Sequence, residues 1–125
     1  MKLTNKHFQL FRKECERNLE YLGLKNWKVY YQFKPLKDSF GRSQWKYSGM
    51  VATITLAMEF PKPFDDLEQQ IKETALHECL EILLAPLTSL AQDRTWDSLV
   101  FDKEVHTVIR ILEKLLTSTN LKTGG

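Results

Sequence analysis

A change of hydrophobic period within the first forty residues does most to restrict the fold. Phe8, Phe11, Cys15, Leu19 and Leu22 recur at intervals of three and four, which puts them on one stripe of a helix. Directly afterwards Trp27, Val29, Tyr31 and Phe33 alternate with Lys28, Tyr30, Gln32 and Lys34, the two-residue period of a strand with one buried face. A chain that switches period in this way mixes helix and sheet, so purely helical and purely β architectures are excluded.

The flanking residues punctuate these elements. Thr4 is placed to cap the first helix, with Leu3 and Phe8 spaced as a hydrophobic staple, and Gly23 closes it. Pro35 ends the first strand, and the polar stretch KDSFGRSQ reads as a connection, with a short extra strand expected around residues 44–47. The segment YSGMVATITLAMEF is rich in β-branched residues and nearly free of charge on both alternating faces, which marks a well-covered strand. After Pro61 and Pro63, either Asp65 or Asp66 can cap a helix that runs to about Leu84, where Pro86 withdraws a backbone donor. TSLAQDRTWDS reads as a connection. Val105, Val108, Ile109, Leu112, Leu115 and Leu116 then trace a closing helix capped near Asp102, and a polar tail from about residue 118 to 125 is expected to be flexible. The expected architecture is α+β: an N-terminal helix, a small antiparallel sheet of two or three strands, and two C-terminal helices.

At 125 residues the chain has the length of one domain, residues 1–125, with a single modest core. The net charge is only +2, so no strong demand for a polyanionic partner arises from composition. Cys15 and Cys79 form no CxxC pair, and each sits in an apolar helical pattern, as expected of buried, reduced thiols in a cytoplasm. The N-terminus has no secretory signal pattern, and no stretch approaches the ~18 apolar residues of a membrane span.

The chemistry is concentrated in ALHECLEILLAPL, residues 75–87. At about 100° per residue, His77 and Glu81 lie about 40° apart on a helix and can converge on one ion. Leu76, Leu80, Leu83 and Leu87 are expected on the adjacent, core-facing side. Glu78, about 100° round from His77, is placed beside such an ion as a general base. This division of roles is that of an HExxH helix, with a glutamate in the second histidine's position. Carboxylate in place of imidazole moves the preference from zinc toward harder divalent ions without removing the site. A third ligand is needed: helical phase favours Glu104, but ligand chemistry favours His106, which is the expected ligand with Glu104 as its alternative.

ALHECLEILLAPL, followed by EVHTVIRILEKLL, resembles the small zincin-like metallopeptidases encoded by phages, over about residues 25–117. The resemblance implies a minimal zincin-like domain whose edge strand lies above a Zn2+ or other divalent ion and binds an extended peptide. It also implies His77 and Glu81 as helix-borne ligands, His106 or Glu104 as the third, Glu78 as general base, and the host cytoplasm as the location. The expected activity is metal-dependent peptide hydrolysis. Two other readings stand beside it. One is a catalytically silent scaffold of the same kind that binds a protein partner. The other is a nucleic-acid-binding protein that uses a basic, aromatic hairpin through Arg42, Trp45 and Lys46.

Overall fold

The computed structural model describes residues 1–92 and 98–123, with side chains for 1–91 and 99–115. Residues 93–97 of the expected connection and Gly124 and Gly125 of the expected tail lie outside the described residues. The chain forms two compact units, Met1–Ile82 and Leu83–Gly125.

The first unit is an α+β layer structure. Helix α1, Asn5–Tyr21, begins where the Thr4 amide donates to Nδ1 of His7 at 2.9 Å, which gives His7 a capping role. It ends at Gly23, whose φ of 75° permits the left-handed turn. There the Gly23 amide bonds Glu20 O (3.1 Å) and the Leu24 amide bonds Leu19 O (2.8 Å), the paired bonds of a Schellman motif. Gly23→Ala should therefore lower stability by about 1 kcal/mol in a thermal or urea melt, because a Cβ strains that backbone region although space for it is free.

Three strands follow: β1, Lys28–Lys34; β2, Gly41–Lys46; and β3, Val51–Ala57. Their order is β1-β3-β2. β2 pairs antiparallel with β3, but β1 pairs parallel with it, so the sheet is mixed and not antiparallel as expected. Two reversals of direction bring β3 back along the sense of β1. β3 has the most apolar sequence of the three and takes the central place. Residues 35–50, including β2, act as the long crossover that a parallel pair requires.

The register fixes the two faces. Val29, Ala52 and Trp45 form one cross-strand row, Tyr31, Ile54 and Ser43 the next, and Phe33, Leu56 and Gly41 a third. This face carries the helices. Phe8 of α1 stacks on Phe33 with ring centroids 5.3 Å apart, and the Arg12 guanidinium lies 5.3 Å from the Tyr31 ring centroid. Ala52, Ile54 and Leu56 are buried beneath the helices.

Helix α2, Leu67–Leu83, is capped by Asp66, whose Oδ1 accepts the Gln69 amide at 3.1 Å. Its buried residues are Ile71, Thr74, Ala75, Glu78, Cys79, Ile82 and Leu83; of the leucines expected to face the core, Leu83 is buried and Leu76 exposed. The reason lies in the crossing of α1 and α2. Cys79 Sγ lies 3.6 Å from Cys15 O, and Cys15 Sγ lies 4.0 Å from Ala75 O, so the two helices meet through small residues. Both thiols are free and buried, and the contact with Cys79 together with burial pushes the Cys15 thiol far above its ordinary range.

In the second unit, α3, Ala85–Gln92, packs on α4, Ser98–Thr123. Three helices therefore follow the sheet, not two. Pro86 stops α2 but also starts α3, since the first turn of a helix tolerates its missing donor. α4 begins four residues before Asp102 and remains helical to Thr123, through most of the segment expected to be flexible. Among the described residues no helix is long and apolar enough to cross a membrane.

Candidate metal centre

The helix motif sits where α2 passes β2. His77, Glu78 and Glu81 each offer a ligand atom, and these atoms all lie within 4.8 Å of one another. His77 Nε2 is 3.8 Å from Glu81 Oε1, one helical turn away. His77 is exposed, Glu81 half-buried, and Glu78 only 4% exposed. Glu78 thus approaches the same point as the two flanking side chains. One imidazole nitrogen and two carboxylate oxygens are a donor set suited to a zinc ion or a somewhat harder divalent cation.

Glu78 is held from the sheet. Ser43 Oγ donates to Glu78 Oε1 at 2.8 Å and also lies 3.0 Å from the Glu78 carbonyl oxygen. Two residues earlier on the same face of β2, Gly41 has no side chain where a Cβ would meet Thr74 Cγ2 at 3.0 Å, Thr55 O at 3.1 Å and Glu78 Oε2 at 3.2 Å. Ser43 engages one carboxylate oxygen, and Gly41 leaves space at the other. Burial pushes the Glu78 carboxyl up to about 7; the hydrogen-bonded Glu81 carboxyl adds to this, while the Ser43 hydroxyl opposes it.

A groove of about 450 Å³ opens beside these residues. Its strand side is the segment 38–41 and its helix side is Gln70, Glu73 and Thr74, with His77 and Glu78 at the end. Phe40 is anchored edge-on against Phe60 and Phe64, with centroids 4.9 and 5.5 Å away, so the loop forming that wall is packed in place. β2 is an edge strand, and its outer side borders no other strand among the described residues.

The two candidate third ligands stand on α4 in the second unit. Glu104 is half-buried and His106 exposed, the order given by helical phase. Nδ1 of His106 lies 2.8 Å from Asp102 O, a carbonyl that can only accept, so Nδ1–H is the donor in this contact. Arg42 and Lys46 lie on the sheet face opposite the helices, while Trp45 shares the helix-covered face with Ser43, so these three do not form one surface.

Ser43 and Gly41 escaped the sequence reading because KDSFGRSQ reads as a polar connection. The alternation of Gly41, Ser43 and Trp45 against Arg42, Gln44 and Lys46 was the available signal. No family model, curated protein or solved structure matches the chain.

Proposed function

We propose that the chain is a zincin-like metal-dependent hydrolase of peptides. The observation that supports this most directly is the convergence of His77, Glu78 and Glu81 at the end of a groove bordered by an edge strand. His77 and Glu81 are the ligands shared with the resembled pattern. His77 and Glu81 would hold a divalent ion there, which would supply an acidified water and polarise the scissile carbonyl. Glu78, buried beside the two ligands and oriented by the Ser43 hydroxyl, is suited to take a proton from that water and pass it to the departing amine. The groove aligns an extended segment along β2, whose free edge offers backbone hydrogen bonds.

A second reading is favoured by the closeness of Glu78 to the other two ligand atoms. If Glu78 coordinates the ion, the base is lost and the domain becomes a metal-stiffened scaffold for a protein partner. Zinc or cobalt titration of the purified protein decides between these. Under the hydrolase reading, His77→Ala and Glu81→Ala lose binding by at least tenfold while Glu78→Gln retains it; under the scaffold reading all three lose it. Absence of any bound divalent ion in the unaltered protein, together with no thermal shift on adding zinc, would sink both.

A further inference from the structure

The face of the sheet turned away from the helices carries a pattern that the metal site does not use. Lys28, Val51 and Lys46 form one cross-strand row, Tyr30, Thr53 and Gln44 the next, and Gln32, Thr55 and Arg42 a third, with Lys34 beyond them on β1. The face thus bears four cations and no carboxylate. Lys28, Lys34, Arg42 and Lys46 are all exposed, and none of them enters an ion pair among the described residues. Tyr30 is 50% exposed, and Lys28 Nζ lies 5.6 Å from its ring centroid.

An ordinary solvent-facing sheet also carries lysines, partly to keep its edge strands from pairing with other chains. That purpose is served by charges of either sign. Mixed signs would moreover gain about 0.2–1 kcal/mol for each opposite-charge cross-strand pair. Here Lys28 and Lys46 flank Val51 in one row with no acid between them, and the same sign continues to Arg42 and Lys34. The molecule has a net charge of only +2, so this concentration is local: the groove on the other side is lined by Asp38, Glu73 and Glu78.

We propose that this open face binds single-stranded nucleic acid. Four cations spread over about 20 Å of strand length and about 10 Å of sheet width can follow the backbone of two or three nucleotides. The exposed Tyr30 ring offers a platform for one base, with the Gln32 amide two residues along β1 and the Gln44 amide across β3 in the same row to meet base edges. An anionic membrane would make use of the charges but not of the amides, and the face has no exposed aliphatic side chain to insert into lipid.

Fluorescence anisotropy of the full chain with labelled ten-nucleotide poly-dT and poly-U oligonucleotides tests this. The expected result is saturable binding whose log affinity falls against log salt with a slope of about −2 to −3 for three to four displaced counterions. Tyr30→Ala should weaken binding roughly tenfold or more. Arg42→Gln with Lys46→Gln should weaken it and flatten the salt slope, whereas Trp45→Phe, on the covered face, and His77→Ala should leave it unchanged. No binding of either oligonucleotide at micromolar protein in 50 mM salt would overturn the proposal. So would affinity indifferent to Tyr30, or binding confined to phosphatidylserine vesicles.

Discussion

Glu78→Gln is expected to abolish hydrolysis and, in the metal-free protein, to raise stability at alkaline pH. Loss of a positioned general base should lower turnover by about 10²- to 10⁴-fold. The stability effect follows from burial. The carboxyl's ordinary value is 4.5 when solvated, and it is pushed up to about 7 in the fold, first by desolvation and then by Glu81. A folded-state pKa above the unfolded one means that the folded protein binds the proton more tightly. The stabilisation is therefore complete below about pH 4.5 and is lost as pH rises through about 7. For a group only 4% exposed the difference amounts to about 2–3 kcal/mol at pH 8. Glutamine keeps the shape and cannot ionise, so the variant should melt several degrees above the unaltered protein at pH 8 and close to it at pH 5. Equal melting temperatures at pH 8 would show that the carboxylate is not forced into an unfavourable site. A divalent ion reverses the sign, because it favours the ionised form: added zinc should stabilise the unaltered protein more at pH 8 than at pH 6.

The parts of this fold that were legible in the sequence are those set by local spacing. The three-and-four period of α1, the alternation of β1, the Gly23 terminus and the uncharged faces of β3 each follow from the residues themselves. What was not legible depends on which element lies against which. The parallel pairing of β1 with β3 requires knowing that β3 enters the sheet between its predecessors. The expected leucine stripe of α2 holds at Leu83, which is buried, and fails at Leu76, because the close approach to α1 through Cys15 selects the small side chains Ala75 and Cys79 and turns Glu78 inward with them. That rotation gives the buried carboxylate its raised pKa, so a misjudged helix face concealed the most chemically distinctive group. The same holds for the basic sheet face. Lys28, Lys34, Arg42 and Lys46 are visible in the sequence, but only the register shows that they share a side and that Trp45 does not.

Gly41→Ala should damage stability and hydrolysis together. The added Cβ would stand 3.0 Å from Thr74 Cγ2, 3.1 Å from Thr55 O and 3.2 Å from Glu78 Oε2. Thr55 O belongs to the neighbouring strand backbone and cannot swing aside, and Thr74 is tied to its own helix through Oγ1 bonded to Gln70 O at 2.9 Å. Relief requires β2 to lift from α2. Overpacking of this kind in a tight contact costs about 1–3 kcal/mol. It also stretches the Ser43 to Glu78 hydrogen bond, which spans the same gap only two residues along the strand. Turnover should fall by about 10- to 100-fold, part of what a positioned general base contributes, while metal affinity at His77 and Glu81 is kept. Ser43→Ala separates the two contributions. It deletes the hydroxyl without moving the strand, so it should lower the stability of the fold far less than Gly41→Ala while still loosening Glu78, and Ser43→Thr should restore the hydrogen bond. If Gly41→Ala proved as stable and as active as the unaltered chain, the close seating of β2 on α2 would have no part in holding Glu78.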